Sequence, residues 1–266
     1  MKALRELNGQ LERQLRLQSY PLAIRLLESE GEIPPTALRP LRDLGHHLST
    51  CQAFAISRRE GLMVAELKED MWCPEPAIGY GLEPPPSFFL EGHNRYPRDV
   101  ATLEAGATWA SREFPRLEPG RYMGVLSAPL ASASYMPHVV VIYCNTAQLT
   151  ILLLGIAYRD GLDVEARLSG HAACVYSVVP TMKTGRCWVS LPCMGDRARA
   201  MAGDDEIIFT LPPEDAGDLL RGLRHIEKTR RIPFRRSMQP EYDLLEDYEK
   251  MAKMLGIIGE GEDRSS

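Results

Sequence analysis

The sequence predicts an α/β or α+β fold, a mixed sheet covered by helices, on three observations. Short apolar runs such as Val139–Cys144 and Ile207–Leu211 alternate with segments in which apolar residues recur at helical spacing. A composition of 44% hydrophobic and 25% charged residues is that of an ordinary globular chain. Finally, 266 residues suffice for one large domain or two small ones.

The elements follow in chain order. Leu4, Leu7, Leu11 and Leu15 predict an amphipathic helix over residues 2–18, weakened at Gly9 by about 1 kcal/mol. Pro21–Leu27 reads as a strand, His47–Arg59 as a helix and Leu62–Leu67 as a strand. Another helix begins after Cys73-Pro74, where proline suits a first turn, and Gly79-Tyr80-Gly81 stops it. Leu82–Pro86 is a stiff connector. Asp99–Phe114 predicts a helix and Tyr122–Pro129 a strand. The buried strand Val139–Cys144 then feeds a helix over Leu149–Tyr158, capped by Asn145 or Thr146. Val164–Leu168 and Trp188–Leu191 read as strands around a helix near His171–Val179. Ile207–Leu211 is a strand and Glu214–Glu227 a helix. Leu244, Leu245, Tyr248, Met251 and Leu255 mark a last helix, before a tail at 259–266 expected to be mobile. The expected organisation is one domain over residues 1–258, divided into two related halves at about 20–115 and 120–232.

Charge and motifs exclude several functions. A net charge of -5 disfavours nucleic acid and anionic membranes as partners. The N-terminus lacks the apolar stretch of a secretory signal, and Asn145, Thr146 and Gln148 interrupt the most membrane-like segment, His138–Tyr158. The expectation is a cytoplasmic protein with reduced thiols. Common nucleotide, zinc-protease and hydrolase motifs are missing.

Six cysteines are too few for a disulfide scaffold and more than a core needs. Two segments share an order of events: Cys51, helix, turn, strand, Cys73, helix; and Cys174, helix, turn, strand, Cys193, then Met194-Gly195-Asp196-Arg197-Ala198 opening another element. The spacings are 22 and 19 residues. If the segments fold alike about a pseudo-twofold, Cys51, Cys73, Cys174 and Cys193 converge. Four thiolates suit tetrahedral zinc or an iron–sulfur cluster, and the lack of tight C-x₂₋₄-C knuckles favours the cluster. Against this stands the common fate of a single free cysteine, which is to be core. Cys144 reads as core, and Cys187 as a substitute ligand.

Several stretches carry a resemblance. They are Cys51-Gln52, Met71-Trp72-Cys73, Ala128-Pro129-Leu130, His138–Gln148, Ala173-Cys174 and Val189–Arg197. In order and spacing the chain resembles the uncharacterised ArCR family, domain of unknown function 169, from about Tyr20 to Leu220. The resemblance implies cysteines at Cys51, Cys73, Cys174 and Cys193. Thr146 and Pro192 depart from residues common in the family, which should alter turn geometry more than ligand chemistry.

The resulting expectation is a 4Fe-4S protein ligated by those four cysteines, serving electron transfer, redox sensing or cluster-supported binding. Trp72 and Met194 would shield the cluster, and a redox partner or small-molecule ligand would meet it. The alternative is a zinc-clamped or metal-free small-molecule binding module. A third reading is an enzyme with Cys73 as nucleophile, activated by the helix start at Pro74. His171 is a weaker candidate for a ligand or proton shuttle, and seven basic residues over Arg221–Arg236 read as a solvated face with intrachain pairs. The leucine face of the first helix either packs on its own sheet or meets a partner, such as a second copy in a homo-oligomer.

Overall fold

A computed structural model describes residues 1–164, 166, 168–229 and 246–257. The fold is α+β, built on one six-stranded sheet whose ladders are all antiparallel. The strands are β1 (Leu22–Leu27), β2 (Val64–Leu67), β3 (Gly124–Pro129), β4 (Val139–Cys144), β5 (Trp188–Ser190) and β6 (Ile207–Leu211). The helices are α1 (Lys2–Leu15), α2 (Thr50–Ala55), α3 (Pro74–Gly79), α4 (Ser87–Leu90), α5 (Leu103–Thr108), α6 (Thr146–Ala157), α7 (Ala173–Thr184), α8 (Met194–Arg199), α9 (Ala216–Thr229) and α10 (Glu246–Met254). Both α2 and α5 continue into a wider π turn, over Ile56–Glu60 and Trp109–Glu113.

Strand alternation divides the core into two layers. Val139, Val141 and Tyr143 of β4 face a core that contains Phe54, Ile78, Val175 and Val178 from α2, α3 and α7. Val140, Ile142 and Cys144 face the opposite core, with the leucines of α1 and residues of α6 and α9. The apolar stripe of α1 is therefore buried within the chain, held also by Gln10–Glu227 at 2.8 Å and Arg224–Glu6 at 3.2 Å. Helices α6 and α9 meet at paired glycines, where a Cβ on Gly222 would lie 1.8 Å from the Gly155 carbonyl oxygen.

The strand order is β2-β3-β1-β4-β6-β5. Exchanging β1 with β4, β3 with β6 and β2 with β5 maps this order onto itself, with the antiparallel β1–β4 pair at the centre. Side chains repeat the relation. Ser57 and Ser127 share a buried hydroxyl contact of 2.8 Å between the α2 extension and β3, and Thr181 and Thr210 share one of 2.8 Å between α7 and β6.

Several boundaries differ from the sequence expectation. Asn145 caps α6 with Gln148 in a capping box, so that helix begins at Thr146 and not at Leu149. The helix expected over Asp99–Phe114 begins at Leu103, where the Thr102 hydroxyl caps it. No strand forms over Val164–Leu168 among the described residues. Only Ala166 bridges Val189; Val164 packs against the core, but Ala166 and Leu168 are exposed, so the alternating face is not buried along its length. The short α4 was not expected. Arg230, Arg231, Arg235, Arg236, Leu244, Leu245 and the tail at 259–266 lie outside the described residues, as does most of the segment around them. Within the described part of the basic stretch, Arg221 pairs with Asp218 and Arg224 with Glu6. Residues 246–257 form a separate unit from residues 1–229, with the acidic first turn of α10 and a Lys253–Glu249 pair at 2.6 Å. No helix among the described residues is long and apolar enough to cross a membrane.

Candidate metal centre

Each of the four singled-out cysteines stands at a helix start. Ser49 caps α2 through a capping box with Gln52, which makes Cys51 its second residue. Cys73 is the residue before α3, and Pro74 pre-sets the first turn. Ala172, with a left-handed φ of 50°, turns the chain into α7 so that Cys174 is its second residue. Cys193 caps α8, its sulfur accepting the Asp196 N–H at 3.4 Å. Positions match across the two halves: Cys51 with Cys174, and Cys73 with Cys193.

Their sulfurs interact. Cys51 acts on the ionisation of Cys174 and Cys193, and Cys73 feels the charge of both Cys174 and Cys193. Cys51, Cys174 and Cys193 are buried in one apolar cluster, and Cys73 is half-buried. Cys144 and Cys187 lie in the core on the other side of the sheet, where Cys187 faces Asp215 Oδ2 at 3.7 Å. A ligand role for Cys187 beside the other four is therefore ruled out by the sheet between them. All six cysteines are free thiols.

The four thiols are electrostatically unequal. The hydrogen bond from Cys51, helped by the N–H groups of Ala173, Asp196 and Gly195 and opposed by burial, pulls Cys193 down to about 5. Cys193 is thus a thiolate near neutral pH, held in a nest of N–H donors. Cys51 is raised well above the ordinary thiol range by its hydrogen bonds to Cys174 and Cys193 and by burial. Cys174 gains a lowering hydrogen bond from Cys51, but burial and the neighbouring Cys193 charge leave it raised. Burial pushes Cys73 far up, so the helix start at Pro74 does not activate it. Among the described residues no three His, Cys, Asp or Glu side chains stand in a metal-holding arrangement. Metal capture at this site requires protons to leave.

Two polar networks flank the sulfurs. Asp196 is fully buried; burial and the Cys193 charge raise its carboxyl to about 7, while the Tyr143 hydroxyl donates to Oδ2 at 3.0 Å and Oδ1 has no partner. The Arg58 guanidinium lies 4.0 Å over the Tyr143 ring and pairs with Glu206 at 2.9 Å. On the other side Arg95, 3% exposed, joins Glu75 at 2.8 Å, Asp99 at 2.9 Å and His171 Nδ1 at 2.8 Å, and lies 3.9 Å over Trp109. Arginine has only donors, so Nδ1 of His171 accepts and its proton sits on Nε2. His171 is therefore turned to Arg95, and the two together tie the Cys73 helix to the segment before Cys174. Sequence reasoning missed Arg95 and Asp196, because nothing in a linear pattern marks a partner 76 residues away, as His171 is from Arg95.

Trp72 and Met194 are 44% and 74% exposed, so neither walls the thiols off from water. Trp72 instead donates its indole N–H to Gln52 at 3.1 Å and lies beneath Arg199. This leaves the Cys73 edge as the open side of the group.

The family of uncharacterised ArCR proteins, domain of unknown function 169, matches residues 10–222. The chain belongs to this family. It is also similar to an uncharacterised protein of Methanocaldococcus jannaschii, 22% identical over 209 residues, which cover 78% of this chain and 88% of that one. No solved structure matches. The match spans all six strands and all four cysteines of the site, so the family's shared region contains the whole thiol group.

Proposed function

We propose that Cys51, Cys73, Cys174 and Cys193 ligate a 4Fe-4S cluster, in a protein of electron transfer, redox sensing or cluster-supported binding. The observation that carries this reading is the grouping of four thiols from the matching helix starts of two related halves, on one side of the sheet, while the other two cysteines lie on the opposite side. Four thiolates would saturate the irons, which favours an electron-carrying or sensing role over Lewis-acid catalysis. The half-buried Cys73, beside exposed Trp72 and Met194, is the edge at which a redox partner would exchange electrons. A reducing compartment, the cytoplasm, suits six free thiols.

Anaerobically purified protein should be brown and hold iron and acid-labile sulfide in equal amounts, about four of each. Colourless, iron-free protein from iron-supplied cells would overturn the reading.

The electrostatic coupling of Cys51, Cys174 and Cys193 also suits a second occupant, a single tetrahedral zinc held by thiolates at about 2.3 Å. Stoichiometric zinc in place of iron would select it.

A further inference from the structure

The segment that leads into Cys174 is tied to the rest of the fold by a contact that a single proton can break. The buried Arg95 divides its donors among three side chains: Nη1 donates to Asp99 Oδ2 at 2.9 Å and to His171 Nδ1 at 2.8 Å, and Nη2 to Glu75 Oε1 at 2.8 Å. Of these acceptors only the imidazole becomes a donor when it takes up a proton. His171 is half-buried, its ring edge to face with Trp109 at 6.1 Å. Ala172 follows with a left-handed φ of 50°, a conformation disfavoured for any residue with a Cβ, and Cys174 comes two residues later. Ahead of His171 the chain is thinly held. Leu162, Ala166, Leu168 and Gly170 are exposed, and Ala166 meets the sheet through an isolated bridge to Val189.

We infer that His171 is an acid-released latch: a proton taken up on Nδ1 breaks its bond to Arg95 and frees the segment that leads into Cys174. Two donors cannot share that contact, and an imidazolium and a guanidinium repel each other. The groups that face the imidazole offer no replacement. Asp99 is a carboxylate, held at about 2 by Arg98 and Arg95 against burial, and both guanidiniums already donate to it. Glu75 is engaged by Arg95 Nη2. Glu75 and Asp99 at most balance Arg95 and Arg98, so a charge added on His171 has no counter-ion left. Burial and Arg95, joined by Arg98, accordingly press His171 below the ordinary imidazole range, against the pull of Asp99. The latched state therefore binds fewer protons than the released one, and falling pH favours release.

The test reads no metal, so failure of the latch and failure of the proposed cluster are distinguishable. In the full chain, imidazole NMR gives the titration midpoint of His171, its signal assigned by its loss in His171→Gln. Hydrogen exchange over Leu168–Tyr176, corrected for the intrinsic pH dependence of exchange, should lose about tenfold in protection as pH falls through that midpoint, the effect of one charge-assisted hydrogen bond. His171→Gln, whose amide oxygen still accepts from Arg95 and takes up no proton, should keep its protection on both sides of the midpoint. His171→Leu, which offers no acceptor, should lack it on both sides, with thermal midpoints showing that both variants fold. Unchanged protection through the midpoint, an equal loss in His171→Gln, full protection in His171→Leu, or a His171 midpoint above the ordinary imidazole value would each overturn the proposal.

Discussion

At the residue scale, the four thiols differ because Cys51 acts on two neighbouring sulfurs and only Cys193 also has backbone help. Cys193 collects the N–H groups of Ala173, Asp196 and Gly195 and falls to about 5, whereas Cys51, Cys73 and Cys174 keep their protons through burial and neighbouring charge. The sign of the linkage follows. A thiol lowered in the folded state contributes stability at pH above its unfolded value of about 8.5, and that contribution is lost as pH falls through about 5. The three raised thiols act in the opposite sense: their contribution is present below the unfolded value and is lost as pH rises through their folded values. Metal-free protein should therefore show one thiolate by ultraviolet absorbance at pH 7. That signal should vanish on acidification through about 5 and be absent from Cys193→Ser. Two or more thiolates at pH 7, or an unchanged signal in Cys193→Ser, would contradict this order.

At the element scale, the site depends on how closely short helices approach, and glycines decide that. A Cβ on Gly79 of α3 would meet Val175 Cγ1 of α7 at 2.4 Å, and Val175 is the neighbour of Cys174. A Cβ on Gly222 of α9 would meet backbone of α6, on the far side of the sheet from the thiols. The two substitutions should separate stability from site integrity. Gly222→Ala forces two helices apart and should cost about 3 kcal/mol in chemical denaturation, with metal content per folded molecule unchanged. Gly79→Ala pushes against a side chain that can turn, so it should cost less stability while lowering metal content. Equal metal content in the two variants would show that the α3–α7 contact does not position the thiols. These approaches were illegible in the sequence, where Gly79 read only as part of a helix stop. That role is also real, since Tyr80 caps α3 and Gly81 follows with a φ of 70°. Strands were legible where both faces are largely buried: Val139–Cys144 and Ile207–Leu211 form strands with the expected ends, because short runs rich in β-branched and aromatic residues suit a buried strand. Val164–Leu168 failed because, of its alternating apolar residues, only Val164 reaches the core, while Ala166 and Leu168 are exposed.

At the scale of the whole molecule, the two halves share one sheet and meet again at the sulfurs. Which cysteines belong together was legible because order and spacing repeat, while the side of the sheet on which each lies was not, since Cys187 stands only six residues from Cys193 and yet packs on the other face. This geometry separates two accounts of the thiols. If Cys51 and Cys174 are merely packed core residues, replacing each with serine leaves a polar group in an apolar cluster, and the two losses should nearly add. If they hold a common metal, the first substitution already expels it, and with it the cross-link between halves that binding contributes to stability. Cys51→Ser and Cys174→Ser should then lower the thermal midpoint by similar amounts and abolish stoichiometric metal. The double variant should fall little further, and Cys144→Ser, across the sheet, should keep its metal. Thermal midpoints and elemental analysis of the four variants test this together. Additive losses from Cys51→Ser and Cys174→Ser, without any change in metal content, would reduce the thiol group to ordinary core.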